Sequence, residues 1–385
     1  MPPATLFLVF LRLGLTSFGG PVAHLGYFRA EFVTRRAWLG EADFAELLAL
    51  SQFLPGPASS QLGFAIGLRQ GGLAGGVAAW LGFTLPSALL MLAAGLAGGL
   101  WQGGGGAALV QGLKLVAVAV VAQAVCGMAR GLCPDLPRRL LALLAFLFLM
   151  LFPTPLAQFA GLVVGAGLGL ATMRPAGRPT EPARPPIPVA ALAALAAFAL
   201  LLAGLPLVAA TGAPAWLTLL DTNYRAGALV FGGGHVVLPL LEGAMVPQLL
   251  PADRFLAGYG LAQALPGPLF ALAAYLGAAT AGVGGGIVAL VAIFLPGLLL
   301  LYGALPLWAR LRALPSARGA LLGLNAVVVG ILAAALVDPI ATSSLKGAGD
   351  AAIALLGFAA LVSGRFNTLG VLAAIAAAGA LLAAA

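Results

Sequence analysis

An apolar stretch interrupted by Pro-Gly-Pro occurs twice in this sequence, at residues 50–67 and again at residues 261–277. Proline lacks the backbone N–H that a helix interior needs, and its ring clashes with the preceding helical turn. Each stretch is therefore predicted to form two half-helices that meet at a break. Such a break is tolerated at membrane depth only where protein or a water-filled cavity surrounds it. One break in each half of the chain indicates a transporter whose binding site lies between two repeats.

The composition is that of an integral membrane protein. Of the 385 residues, 62% are hydrophobic and 8% are charged, whereas soluble domains carry roughly 25% charged residues. The net charge of +8 is attributed to arginines at helix ends that follow the positive-inside rule. No nucleic-acid partner is expected, because no basic cluster is interleaved with aromatic residues. Cys126 and Cys133 are interpreted as packing residues rather than metal ligands.

Several other motifs of the first half return in the same order in the second half, which predicts an internal repeat. The recurring pairs are Phe18-Gly19-Gly20 with Phe231-Gly232-Gly233, Phe44 with Phe255, Leu85-Pro86 with Leu295-Pro296, and Gly112-Leu113-Lys114 with Gly323-Leu324-Asn325. The predicted organisation is an N-terminal repeat (1–173), a Pro-rich linker (174–188), a connecting transmembrane helix (189–209) and a C-terminal repeat (210–385).

The placement of arginines predicts the topology. Full spans are predicted at residues 73–100, 107–130, 136–152 and 156–173, and arginines then cluster on one side, which is assigned to the cytoplasm. The N-terminus and the 174–188 linker are placed on that side of the bacterial inner membrane. Arg310, Arg312 and Arg318 follow the span at residues 286–308, whose counterpart in the first half begins beside Arg69. The predicted fold is an all-α polytopic membrane protein with two inverted-topology repeats, whose broken or re-entrant hairpins meet at the membrane midplane.

The helix after each break presents free N–H groups and the positive end of its dipole, which together favour an anion. Candidate substrate-binding residues are the glycines at the breaks, the hydroxyl and amide side chains beside them, and arginines in the two entry helices. They are Gly19, Gly20, Gly56, Gly232, Gly233 and Gly267; Thr16, Ser17, Ser59, Ser60 and Gln61; and Arg12 and Arg225. The alternative is that these residues are ordinary helix caps and small packing residues.

Lys114 lies in the middle of an apolar span, where a charged side chain is costly and by default marks function. Its counterpart in the second half is Asn325, and both are candidate substrate-binding residues. The hypothesis is that Lys114 balances the charge of the anion or titrates during transport. The alternative is a structural ion pair with Asp43 or Glu46.

Five residues are candidates for proton coupling: His24, Glu31, Asp43, His235 and Glu242. The alternatives are a hydrogen-bonded packing role for each histidine and a local ion pair between Arg29 and Glu31. No catalytic constellation, metal-ligand cluster or phosphate-binding loop is recognised. An enzyme and an ATP-driven pump are therefore disfavoured, no cofactor is expected, and an ion gradient or the substrate itself is expected to supply the energy.

These motifs together resemble the chromate ion transporter family. In the first half the resemblance is carried by Phe18-Gly19-Gly20-Pro21, Glu31-Phe32-Val33, the helix at residues 41–50 and Gln52 to Pro57; in the second half it is carried by residues 231–235 and 263–268. It covers nearly the whole chain and implies the long, two-domain branch of the family.

The resemblance implies a bacterial inner-membrane protein that exports chromate, driven by the membrane potential or the proton gradient, with sulfate as a competing analogue. The alternatives are a transporter of sulfate or another tetrahedral oxyanion, and an anion channel. A homodimer is a further expectation. The second half has Leu269-Phe270 directly after its Pro-Gly-Pro, whereas the first half has Ser59-Ser60, which begins two positions after Pro57, so the two breaks need not form equivalent sites.

Overall fold

The computed structural model describes residues 1–17, 20–98, 104–173, 187–210, 214–230, 237–308 and 315–384. Over these ranges the chain forms helices and no β-strand. Five of the described helices are long and apolar enough to cross a membrane. The prediction of an all-α polytopic membrane protein is therefore confirmed.

The first half begins with short helices around the Pro-Gly-Pro break and continues with longer ones. They are α1 (Pro3–Thr16), α2 (Gly20–Arg29, extended by a π-helical turn, Ala30–Arg35), α3 (Glu41–Phe53), α4 (Ala58–Leu96), α5 (Gly104–Leu132), α6 (Leu136–Leu151) and α7 (Pro155–Thr172). The helix α8 (Val189–Ala209) follows α7 in the chain and precedes the second half.

The second half follows the same order of elements. They are α9 (Ala215–Leu229), α10 (Val237–Met245), α11 (Ala252–Ala264), α12 (Leu272–Ala304, preceded by the 3-10 turn Leu269–Ala271), α13 (Pro315–Ala335, extended by a π-helical segment, Leu336–Ala341), α14 (Ala348–Ser363) and α15 (Thr368–Ala384). Elements α9 to α15 are thus the counterparts of α1 to α7. The linker prediction falls mostly on residues 174–186, which lie outside the described residues.

The long helices α4 and α12 each contain a reversal of the chain. Two consecutive residues in each have non-helical backbone angles, and the second is a glycine with positive φ: Gly72 (63°) and Gly282 (66°). Glycine adopts this conformation without steric cost. An added Cβ at Gly67 would lie 2.5 Å from the Gly75 carbonyl oxygen, so the limbs on either side of the turn pack together. The helix after each break is therefore one limb of a hairpin.

The predicted spans at residues 136–152 and 156–173 form helices of nearly the predicted lengths, which are short for a membrane span. Helices α6 and α7 contain 16 and 18 residues, whereas a straight span needs about 20, and neither is among the five candidate spans. The residues between them, Pro153 to Pro155, shorten both, because proline ends one helix and begins the next.

The closing helices of each half pack against the other half. An added Cβ at Gly112 in α5 would lie 2.0 Å from the Ala376 carbonyl oxygen in α15. An added Cβ at Gly323 in α13 would lie 2.0 Å from the Gly165 carbonyl oxygen in α7. Gly112 and Gly323 are counterparts in the recurring motifs, so the two contacts are reciprocal. The last helix of each half therefore packs on the other half, and the two halves share their helix packing.

Candidate anion site between the two breaks

Each Pro-Gly-Pro break is bound to the end of the first helix of the other half. The backbone N–H of Gly56 donates to the Val230 carbonyl oxygen at 2.8 Å, and that of Gly267 donates to the Ser17 carbonyl oxygen at 3.0 Å. Ser17 follows α1 and Val230 follows its counterpart α9. The break of each half is therefore bound to the same position of the other half. Both breaks are thus brought to one region of the molecule.

His24 connects this region to the start of α4. Its side chain is fully buried; Nε2 lies 3.2 Å from the Ser17 carbonyl oxygen and Nδ1 lies 3.4 Å from Ser59 Oγ. A carbonyl oxygen only accepts, so Nε2 carries a hydrogen, and in the neutral ring Nδ1 accepts from the serine hydroxyl. The ring packs edge-on against Phe83 in the second limb of α4, with centroids 5.2 Å apart.

Several buried polar atoms, on residues that contact His24 or directly follow one that does, have no hydrogen-bond partner among the described residues. They include Ser17 Oγ, Ser60 Oγ and Thr84 Oγ1. Unpartnered buried groups are rare in folded proteins and call for an explanation. The first backbone N–H groups of α4, which no helical carbonyl satisfies, belong to the same helix start. Hydroxyl and N–H donors without partners, inside an apolar protein, form a site that suits an anion.

Gln61 holds the first break in place. Its Nε2 donates to the Pro55 carbonyl oxygen at 2.9 Å and to the Gly297 carbonyl oxygen in α12 at 3.0 Å. The side chain thus joins the break to the other half of the chain. Its role in the structure is to position the backbone around Gly56 rather than to present its amide hydrogens to a ligand.

The second break offers no comparable set of hydroxyls. Leu269 and Phe270 follow it, and both are buried, at 4% and 2% exposed. Phe270 packs against Phe294 with ring centroids 5.8 Å apart. Apolar side chains thus fill the positions after this Pro-Gly-Pro, so the hydroxyl cluster belongs to the first half.

Lys114 forms an ion pair, but with a different partner from the one predicted. Its Nζ lies 2.6 Å from Asp253 Oδ1, and the lysine side chain is only 3% exposed. Asp43, one of the two predicted partners, pairs with Arg69 instead, at 2.8 Å. The prediction was wrong because α5 packs against α11 of the other half. Asn325, the counterpart of Lys114, is half-buried in α13.

Glu31 is held by two arginines that follow it, and the predicted Arg29–Glu31 pair was wrong. The Glu31 carboxylate lies 2.9 Å from Arg35 and 2.6 Å from Arg36, while Arg29 pairs with Glu41. Burial alone would raise the pKa of Glu31, but the hydrogen bonds from Arg36 and Arg35 outweigh it and lower the pKa below its usual value. Glu31 is therefore a stably ionised carboxylate.

Glu242 has the opposite environment. It is 6% exposed in α10, and both of its carboxylate oxygens lack a hydrogen-bond partner among the described residues. The nearby acidic side chain of Asp338 acts on it electrostatically. A carboxyl group that is buried away from water is more stable when it carries a proton. Of the predicted coupling residues, Glu242 thus has the surroundings best suited to proton binding.

The remaining predicted residues lie at the edge of this region or outside the described residues. Arg12 and Thr16 are exposed on α1, where the Thr16 hydroxyl donates to the Arg12 carbonyl oxygen. Arg225 pairs with the buried Asp221 at 2.5 Å, and Gly20 begins α2. Gly19, Gly232, Gly233 and His235 lie outside the described residues.

Sequence reasoning missed Thr84 and Asp253. Thr84 immediately precedes the recurring Leu85-Pro86 motif, and this position beside a repeated motif could have marked it as a candidate site residue. Asp253 corresponds to Ala42 in the first half, so the comparison of the repeats gave no indication of it.

The comparison with known families covers nearly the whole chain. The model of the family described as "Chromate transporter" matches residues 4–216 and, a second time, residues 217–382. The chain belongs to the chromate transporter family. Each of the two matched ranges contains one Pro-Gly-Pro break, so the family match covers both breaks.

Individual members of the chromate transporter family are similar over most of their length. The chromate transport protein of Cupriavidus metallidurans is 29% identical over 373 residues, which cover 93% of this chain and 87% of the relative. The probable chromate transport protein of Synechococcus elongatus is 30% identical over 363 residues, with 92% and 88% covered. The chromate transport protein of Pseudomonas aeruginosa is 30% identical over 350 residues, with 86% and 80% covered. No solved structure matches the chain.

Proposed function

We propose that this protein is a secondary active transporter that exports chromate across the bacterial inner membrane. The observation that carries the proposal is the buried set of Ser17, His24, Ser59 and Ser60, in which the Ser17 and Ser60 hydroxyls have no hydrogen-bond partner among the described residues. Chromate is a tetrahedral dianion that accepts hydrogen bonds on every oxygen, which fits such a set of donors. The relatives described as chromate transport proteins support this substrate.

Transport by alternating access between two inverted repeats is part of the proposal. The reciprocal hydrogen bonds of Gly56 and Gly267 support it, because they relate the halves by an approximate two-fold exchange. We place the N-terminus and the 174–188 linker in the cytoplasm. Arg130 and Arg138, on either side of the turn between α5 and α6, support this orientation through the positive-inside rule.

The function is tested by measuring chromate flux in proteoliposomes with an imposed proton gradient and membrane potential. We expect either gradient to drive chromate movement, and we expect excess sulfate to slow it only weakly. Strong block by sulfate, together with faster sulfate flux, would make a sulfate or general oxyanion transporter the correct assignment. Flux that only follows the chromate gradient would identify an anion channel.

Coupling to protons is assigned in this proposal to Glu242. Glu242 is a buried carboxyl group that has no hydrogen-bond partner among the described residues. Such a group can take up a proton in one state of the cycle and release it in another. Glu31 is not suited to this role, because Arg35 and Arg36 hold it as a carboxylate.

We expect Glu242→Gln to abolish proton-driven chromate transport while downhill exchange of chromate continues. Glutamine retains the shape of a protonated glutamate but cannot release the proton. The measurement compares chromate uptake driven by a pH gradient with chromate–chromate exchange in the same proteoliposomes. Glu31→Gln is the matched control and is expected to keep the ratio of the two rates. An unchanged ratio in Glu242→Gln would contradict the assignment.

A further inference from the structure

The counterpart helices α3 and α11 are packed in two different ways. α11 lies against α5, and an added Cβ at Gly260 would come within 2.2 Å of the Leu113 carbonyl oxygen. Over the residues that the structure describes, α3 makes no comparable contact with α13, which is the counterpart of α5, and packs on α4 instead. The same element is therefore in close contact in one half and separated in the other.

The corresponding face of α3 is exposed at the two positions for which the structure describes the side chain. Leu256 and Gly260 are buried on the α5-facing side of α11. Their counterpart positions on α3 include Ala49, which is exposed, and Gln52, one turn further along, is exposed as well. Residues three or four apart share one face of a helix, so this exposed face, which we call the Ala49 face, leads to the Pro55-Gly56-Pro57 break.

The α5–α11 contact contains an ion pair that a contact between the counterpart helices α13 and α3 could not form. Lys114 of α5 pairs with Asp253 at the start of α11, whereas the counterpart positions hold Asn325 and Ala42. Lys114 is almost fully buried. The Asp253 side chain is 71% exposed, so the pair contributes less than a fully buried one. Separation of α11 from α5 would nevertheless leave the Lys114 ammonium group without its carboxylate partner, which is unfavourable. The pair thus stabilises the contact in one half only.

We propose that the α5–α11 contact is the closed outer gate of the transport pathway, that the Lys114–Asp253 pair locks it, and that the Ala49 face is the open route from the cytoplasm to the anion site. In the opposite state α3 lies on α13, and α11 separates from α5. This inference rests on the proposed function for the anion and for the orientation. Asp253 is in this view a positioning residue, which acts through the gate and not on the anion.

The gate is tested by labelling a single cysteine, Ala49→Cys, after Cys126 and Cys133 have been replaced by alanine. A membrane-impermeant thiol reagent is applied to inside-out and right-side-out vesicles without chromate. We expect labelling from the cytoplasmic face to be at least tenfold faster than from the outer face. Labelling from the outer face alone, or from neither face, would overturn the proposal.

The lock is tested in the same cysteine background. Asp253→Asn is expected to slow cytoplasmic labelling several-fold, because the outer gate opens more often and the Ala49 face is then covered. The charge exchange Lys114→Asp with Asp253→Lys is expected to restore the original rate. Asp135→Asn, which removes an exposed ion pair with Arg138, is the control and is expected to leave the rate unchanged. If the cytoplasmic labelling rate is the same with Asp253→Asn as with the native Lys114–Asp253 pair, the proposed role of this pair is wrong.

A second variant leaves the native ion pair intact. Ala42→Asp with Asn325→Lys supplies the first half with the same charges and is expected to favour the α3–α13 contact, again slowing cytoplasmic labelling several-fold. No slowing would contradict the equivalence of the two contacts. Since labelling needs no substrate, it separates the two proposals: gates that respond as expected without chromate flux would refute the proposed function alone.

Discussion

Gly56→Ala is expected to reduce chromate transport to background. Gly56 has a φ of 124°, which is open to glycine and strained for alanine. An added Cβ would also lie 3.0 Å from both the Gly297 Cα atom and Gln61 Nε2. The backbone at the break must therefore move, and the hydrogen bond from the Gly56 N–H to Val230 is lost with it. The measurement is chromate flux in proteoliposomes, normalised to the amount of inserted protein.

Gly364→Ala is the matched control for this substitution. Gly364 also has a positive φ, 64°, but nothing lies within 4 Å of an added Cβ, and it follows α14 far from the break. Alanine there costs only the backbone strain of about 1–2 kcal/mol. We expect Gly364→Ala to insert and transport nearly normally. If both variants lose transport equally, general strain rather than the geometry of the break is responsible.

Ser60→Ala is expected to weaken chromate binding without destabilising the empty protein. The Ser60 hydroxyl is buried and has no partner among the described residues, so its removal breaks no hydrogen bond that the structure describes. A hydrogen bond to a charged group contributes about 1.5–3 kcal/mol, which corresponds to roughly a 10- to 150-fold increase in the chromate Kd. The measurement is the chromate concentration dependence of thermal stability and of flux.

Ser51→Ala provides the comparison. Ser51 is equally buried in α3, but its hydroxyl donates to the Leu47 carbonyl oxygen at 2.9 Å, so its partner is already in the helix. We expect Ser51→Ala to leave the chromate affinity unchanged. A Ser60→Ala protein that binds chromate normally would place the anion elsewhere, and the first turn of α4 would then contain only packing residues.

Local backbone chemistry made the breaks predictable from the sequence. Pro55-Gly56-Pro57 and Pro266-Gly267-Pro268 remove helical hydrogen bonds wherever the chain folds, and the structure has a helix end at each of them. The reversal near Gly72 was not predicted, although the consecutive glycines Gly71 and Gly72 weaken a helix. These signals act over a few residues and depend little on the rest of the fold.

Contacts between distant segments were not predictable in the same way. Lys114 was assigned a carboxylate of the first half, yet its partner Asp253 lies 139 residues further along the chain. Glu242 has no hydrogen-bond partner among the described residues, and this property depends on tertiary packing that the sequence does not reveal. Glu31, by contrast, is followed closely in the sequence by its partners Arg35 and Arg36. The repeat pattern predicts which elements correspond, but two corresponding elements can pack differently, as α3 and α11 do.

The reciprocal binding of the breaks has a consequence for biogenesis. Gly56 leaves the ribosome well before Val230, which accepts its hydrogen bond. At about 5–20 residues per second, the first Pro-Gly-Pro waits in the membrane for roughly 10–35 s before its acceptor is synthesised. During this interval its free N–H needs water or the insertion machinery as a substitute partner. The N-terminal half is therefore inserted as an open intermediate, and only synthesis of the second half completes it.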